Sequence, residues 1–236
     1  MVPTFTVLIG SIGRPTLGLT LESIARQEGQ DDQAIIVIDS FEQGARPEIQ
    51  GQIQNKGFEA YAYDSGYHWL GVEQINWALR NVPITGSHML LLGDDDVFVD
   101  DLYQTIRPIC AAYPHRAILW KFVAPWRTIL PDQKPWMTKS HISGCCIAAP
   151  YEFVGLHNTA KYPEHDFDWM TDVIARSGRD PVCLDYVGVI ARPPRREHYP
   201  GVYECKCGLW KYLHEGVLTH CACGLEVDLK RKVKIV

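Results

Sequence analysis

No apolar run in this chain of 236 residues approaches the roughly 18 needed to cross a membrane. No Lys or Arg precedes Arg14, and the apolar stretch before it is too short for a secretory signal. The chain therefore reads as cytoplasmic, with no membrane span. It has no low-complexity tract and no long-period repeat, which argues against fibrous and solenoid architectures. Cysteine is too sparse for a disulfide scaffold: there are eight, and four fall in one C-terminal pattern. A hydrophobic content of 46% with 22% charge excludes disorder and leaves one large domain, or a domain with a small appendage. Charge is uneven. Residues 1–191 carry 14 Lys and Arg against 23 Asp and Glu, while residues 192–236 carry 9 against 5. An acidic body with a basic tail hints at a polyanionic partner for the tail.

What is present centres on three consecutive carboxylates. Asp94-Asp95-Asp96 follow the apolar run Met89–Leu92 and Gly93, which reads as a buried strand and its terminator. Ligands of open α/β sheets bind at the carboxyl ends of strands, where this cluster is delivered. Carboxylates crowded there repel one another unless a cation sits between them, and hard oxygen ligands suit Mg²⁺ or Mn²⁺. Taken alone, the run is also compatible with a solvated acidic turn.

Elsewhere, strands are expected at Thr4–Ile9, Ala34–Ile38, Phe58–Tyr63, Ala117–Val123 and Ile142–Ala149. Helices are expected over Thr16–Gln27, capped by Thr16, over Gly71–Asn81 and over Trp169–Arg176. The alternation predicts βαβ units and a mainly parallel sheet. The Pro- and Trp-rich segment Ala124–Lys139 reads either as a loop folding over a ligand or as a cover for the core. Trp69, Trp77 and Trp120 read as core residues, and Cys145-Cys146 as small buried hydrophobes.

The first hundred residues resemble the GT-A glycosyltransferases, in particular glycosyltransferase family 2. TVLIGSIGRPTLGLTLESIARQ resembles that family's first strand, nucleotide loop and helix. AIIVIDS resembles its second strand, Gly71-Val72 with Asn76 echo its next helix, and LLLGDDDVF matches its aspartate-any-aspartate motif. Further on, HISGCCIAAPYEFVG is similar to the stretch lining the acceptor side, with Pro150 near a usual basic residue. EHDFDWMTDVIARSG is similar to the segment holding the catalytic base, with His165 where Glu is usual. ARPPRREHYPG is similar to a late segment that can supply a metal-binding His.

The resemblance implies an α/β, Rossmann-like GT-A fold over residues 1–200 and an inverting, metal-dependent transfer from a nucleotide sugar, such as a UDP-sugar, to an acceptor hydroxyl. It assigns the metal to Asp94, Asp96 and His198, and the nucleotide to Ser11, Arg14, Asp39, Asp94 and Asp95. It assigns the base to Asp166. The chemistry agrees: a divalent ion offsets charge on the leaving diphosphate, and a carboxylate opposite it removes the acceptor proton. Plainer roles stand beside these. Arg14 reads equally as a solvated loop residue, Asp166 as a helix N-cap, and Asp168 as a first-turn charge on the helix dipole.

Residues 201–236 hold Cys205-x-Cys207-Gly and Cys221-x-Cys223-Gly, a paired-knuckle pattern suited to a structural Zn²⁺, with His214 and His220 in reserve. The segment resembles a small zinc ribbon and is too short to hold a core without metal. Its Lys and Arg interleave with Trp210 and Tyr212, a composition suited to nucleic acid, such as viral DNA bearing hydroxymethylated bases. A glycan, lipid-linked or small-molecule acceptor is the alternative, with the tail closing the site. Two rivals to the transferase are a sugar-nucleotide nucleotidyltransferase and a nucleic-acid-binding protein with a degenerate transferase body.

Overall fold

A computed structural model describes residues 2–11, 16–27, 32–39, 53–54, 57–63, 71–124, 128–132, 136–139, 141–158 and 165–191, and the backbone of 201–205, 210–213 and 227–228. The body is a nine-stranded sheet with helices packed on it. Its first strand, β1 (Phe5–Ser11), is buried at every residue. A run of apolar and β-branched residues without alternation is what a strand covered on both faces requires. β2 (Gln33–Asp39) and β4 (His88–Leu91) pair parallel to β1 on either side, and β3 (Glu59–Tyr63) pairs parallel to β2. β6 (Ile118–Val123) pairs parallel to β9 (Val182–Ala191). Three antiparallel pieces complete the sheet. β8 (Ile147–Pro150) lies between β4 and β6, β7 (Ile129–Leu130) lies on β6, and β5 (Asp96–Phe98) lies on β9. The order is β3-β2-β1-β4-β8-β6-β9-β5.

That order locates the site. From β1 the chain winds outward through β2 and β3, then returns to place β4 on the other flank of β1. The reversal leaves a crevice at the carboxyl ends of β1 and β4, where doubly wound sheets bind ligands. Ser11 ends β1 there, and the acidic turn follows β4.

α1 (Leu17–Ala25) buries Leu17, Leu21 and Ile24 against the sheet. A neighbouring stripe of short polar side chains grips the segment after β4. Thr20 Oγ1 donates to Asp96 O at 2.7 Å, Ser23 Oγ accepts from Phe98 N at 3.1 Å, and Gln27 Nε2 donates to Val99 O at 2.9 Å. Thr16 holds the cap position but makes no side-chain cap hydrogen bond.

Several elements differ from expectation. α3 (Leu102–Ala112) carries Pro108 within it, and it, β5 and β9 were not anticipated. α4 spans His165–Ser177 and starts before Trp169, so Asp166 and Asp168 lie in its first turn. The strand expected from Ile142 is shorter, because Gly144–Cys146 forms a 3-10 turn ahead of β8. Part of the Ala124–Lys139 segment is hairpin: Phe122 pairs with Leu130, and Trp136 is buried beneath Lys121, whose Nζ stands 5.5 Å from its ring.

Beyond residue 200, β10 (Gly201–Cys205), β11 (Trp210–Leu213) and β12 (Val227–Asp228) form a separate antiparallel sheet in the order β11-β10-β12. Cys205 ends β10 opposite Val227. Cys207, Cys221, Cys223, His214 and His220 lie outside the described residues, as do Arg14, Trp69 and His198. Among the described residues, no helix is long and apolar enough to cross a membrane.

Candidate active site

The crevice is built by close backbone approach. A Cβ on Gly10 would come within 1.9 Å of Gly71 O, and a Cβ on Gly71 within 2.4 Å of Gly10 O. No side chain fits there, so β1 ends directly against the start of α2 (Val72–Asn81). Beside this junction, Ser11 Oγ donates to Asp94 Oδ2 at 2.9 Å, tying the end of β1 to the acidic turn. Asp94 is 5% exposed. On the other flank, Asp39 ends β2 fully buried and accepts from Gln74 Nε2 of α2 at 3.1 Å. A nucleoside reaching Asp39 would share the carboxylate with Gln74.

Asp95 and Asp96 turn over one face of Gly93. A Cβ placed there would meet Asp96 Oδ2 at 2.8 Å and Asp95 Oδ1 at 3.2 Å, so glycine makes the room in which the carboxylates gather. Among the described residues, no three His, Cys, Asp or Glu side chains form a ready-made metal cage. The donor set is oxygen-only and borne on one turn, which fits Mg²⁺ or Mn²⁺ completing its shell with phosphate oxygens and water. Asp96 pairs with Ala191, so β9 ends beside the acidic turn.

Asp166 lies in the first turn of α4. Its carboxylate is not an N-cap but reaches across to the 3-10 turn before β8. Gly144 N donates to Oδ2 at 2.9 Å, Ser143 Oγ stands 3.4 Å from the same oxygen, and His165 Nε2 lies 3.2 Å from Oδ1. The fit is close, since a Cβ on Gly144 would sit 3.1 Å from Asp166 Cγ. The same turn connects the two acidic groups. A hydrogen bond with Cys146, then burial, then the charges of Cys146 and Asp96 push the Cys145 thiol well above its ordinary range. Both cysteines are free and buried and pack as small hydrophobes, as expected. Lys139, at the end of the aromatic segment, lies 5.9 Å over the Phe167 ring, next to Asp166.

Not all of the expected acceptor stretch lies here. Ser143–Cys145 does, but Pro150 pairs with His88 at the start of β4, the sheet edge away from the acidic turn. Trp120 is fully buried, and half-buried Trp77 packs against Tyr61 and Tyr63 at 5.5 and 5.7 Å, as core residues do.

Sequence reasoning missed two groups near Asp166. Gly144 contributes through its backbone, which no side-chain pattern reveals. His157 is the other. Asn76 fixes its backbone on both sides, accepting from His157 N at 2.8 Å and donating to His157 O at 3.0 Å. Its ring stacks on Trp169 with centroids 4.7 Å apart and planes 9° from parallel.

No family model matches the sequence, and no curated protein sequence matches it. Solved structures do match. The first 349 residues of S. aureus TarS superpose with a TM-score of 0.63 at 14% identity, covering 80% of this chain and 60% of that one. The same protein in complex with UDP-GlcNAc gives 0.63 at 12% identity over 83% of this chain. A mannosyltransferase, PcManGT from Pyrobaculum calidifontis in complex with GDP-Man and Mn²⁺, gives 0.58 at 14% identity over 83% of this chain and 58% of that one. The chain thus spans about 60% of these solved chains, and 37% of a longer TarS chain. It has their fold, the α/β GT-A arrangement with a mainly parallel sheet.

Proposed function

We propose that the protein is a metal-dependent glycosyltransferase that moves a sugar from a nucleotide sugar to an acceptor hydroxyl with inversion. One observation carries the reading. The Ser143–Cys146 turn links two acidic groups of different design: Cys145 feels the charge of Asp96 in the Asp94–Asp96 turn, and Gly144 N holds Asp166. The solved neighbours of the same fold include complexes with UDP-GlcNAc and with GDP-Man and Mn²⁺, which supports a nucleotide-sugar donor and a divalent ion.

Asp96 and Asp94 are the ligands we assign to that ion, with His198 as a further one. When bound, the ion supplies Lewis-acid stabilisation of the leaving diphosphate. Ser11 fixes the orientation of Asp94, while Asp39, Arg14 and Asp95 complete the nucleotide side. Asp166 takes the proton of the attacking hydroxyl on the opposite side of the sugar. Its donors at Gly144 and Ser143, with His165 beside Oδ1, keep one carboxylate geometry through the step. Asp168 acts on the helix dipole in the first turn of α4.

The finer assignments rest on sequence. The excess of Lys and Arg after residue 191 supports a polyanionic acceptor, with DNA bearing hydroxymethylated bases as the specific candidate. Zn²⁺ is assigned to Cys205, Cys207, Cys221 and Cys223, and elemental analysis of wild type against Cys221→Ser tests it: one equivalent is expected in the first and none in the second.

The function is tested by titrating the protein with UDP- and GDP-sugars with and without Mn²⁺. Binding that strengthens with the metal, and loses that dependence in Asp96→Ala, is expected. Unchanged metal dependence in the variant refutes the assignment.

A further inference from the structure

Both ring nitrogens of His157 are buried without a hydrogen-bond partner, and the residue is 5% exposed. This is not a loosely placed side chain. Asn76, itself 2% exposed, clamps the backbone on both sides, and Trp169 holds the ring face in a near-parallel stack. Trp169 is anchored in turn by donating from Nε1 to Gly155 O at 2.9 Å. The fold therefore fixes the ring through its face and its backbone and leaves its polar edge unpaired. Burial lowers the imidazole pKa to about 4, the Asp166 charge opposing this and His165 adding to it. At neutral pH the ring is uncharged and offers one N–H donor and one lone pair.

Buried polar atoms without partners cost stability, and a packed apolar ring would avoid that cost at this position. The location suggests what the edge is kept for. The ring centroid lies 6.3 Å from that of His165, whose Nε2 is 3.2 Å from Asp166 Oδ1. Asn76 belongs to α2, the helix that also supplies Gln74 to Asp39 on the nucleotide side. His157 thus stands between α2, on the nucleotide side, and α4, which bears Asp166. A hydroxyl both donates and accepts, so one sugar hydroxyl matches either nitrogen of a neutral imidazole.

We propose that His157 is a substrate-binding residue whose ring takes a hydroxyl of the reacting sugars beside Asp166. The inference rests on the transferase reading and adds to it a specificity contact. The hydroxyl comes from the donor sugar or from the acceptor, two sources of the same chemistry.

The test is His157→Phe, which keeps an aromatic face on Trp169 and removes both nitrogens, compared with His157→Gln, which keeps a donor and an acceptor. Thermal unfolding, affinity for a nucleotide sugar and for its bare nucleoside diphosphate, and turnover with water and with glycerol as acceptors are measured. His157→Phe is expected to be at least as stable as wild type yet at least tenfold slower, with partial recovery in His157→Gln. Tighter binding of nucleotide sugar than of nucleoside diphosphate, lost in His157→Phe, assigns the donor sugar. Unchanged donor affinity with selective loss of transfer to glycerol assigns the acceptor. A stable His157→Phe with wild-type affinities and rates overturns the proposal and leaves packing as the role. Wild type that neither binds nor turns over any nucleotide sugar overturns the transferase reading itself, and this inference with it.

Discussion

Replacing Asp166 by Asn keeps the shape of the side chain and removes its basicity. The surroundings allow a forecast of what remains. The Asn carbonyl can still accept from Gly144 N, the 2.9 Å contact, while its amide faces His165 Nε2, now 3.2 Å from Asp166 Oδ1. Exchanging charged for neutral hydrogen bonds at these contacts costs about 1 kcal/mol of stability, too little to unfold the domain. The catalytic loss is larger. General-base assistance contributes about 10²–10⁴ in rate, so turnover should fall at least about a hundredfold, close to 3 kcal/mol at the barrier. Donor affinity should not change, because the Asp94–Asp96 turn is untouched. Steady-state kinetics with a nucleotide sugar, beside a binding titration, separates the two quantities. A graded control is available in Gly144→Ala. The added methyl would lie 3.1 Å from Asp166 Cγ and must shift the carboxylate by a few tenths of an ångström, so a loss nearer tenfold is expected. Asp168→Asn should retain most activity. Near-normal turnover in Asp166→Asn would refute the reasoning and move the base elsewhere, with Asp168 the first residue to examine.

Two further outcomes follow from packing and burial. Gly10→Ala places a methyl 1.9 Å from Gly71 O, where two backbones would have to part, so urea unfolding should show a loss of about 3 kcal/mol; wild-type stability would mean that the two glycines do not touch. His88 has its pKa lowered by burial from 6.5 to about 4, with Glu152 opposing and His115 adding to the effect. Because the unfolded chain takes up a proton that the folded one refuses, this histidine costs stability as pH falls from about 6.5 toward 4 and nothing above that window. The cost is about 2 kcal/mol at pH 5, so His88→Phe should lose that share of the acid sensitivity between pH 7.5 and 5. An unchanged pH slope in the variant would contradict the burial argument.

The legible parts of the chain were those whose determinants are local. β1, β2, β4 and β6 are apolar runs bounded by turn residues, and the acidic turn stands directly after one of them. Ser23 and Gln27 were legible only as letters of a motif; the structure supplies their reason, hydrogen bonds to the segment carrying the carboxylates. The unread parts depend on distant partners. Pro108 suggests a break, yet α3 continues through it with Leu102, Tyr103, Ile106 and Cys110 buried. β9 runs through Asp185, which breaks its apolar sequence pattern and whose charge is met by Lys121 Nζ at 2.5 Å from the neighbouring strand. The strand expected from Ile142 gives way to a turn at Ser143–Cys146, which places Gly144 N on Asp166, 22 residues away in the chain. His157 was invisible for the same reason, since the groups that hold it lie on α2 and α4.

The central claim concerns which bond is broken. The most direct measurement is ³¹P NMR of the products when the wild-type protein is incubated with UDP-GlcNAc and with GDP-mannose, in the presence of Mn²⁺. Cleavage at the anomeric carbon predicts accumulation of the nucleoside diphosphate, dependent on the metal and absent in Asp96→Ala. Appearance of nucleoside monophosphate with sugar phosphate, or of nucleoside triphosphate when pyrophosphate is added, would place the reaction at the phosphate and contradict the account.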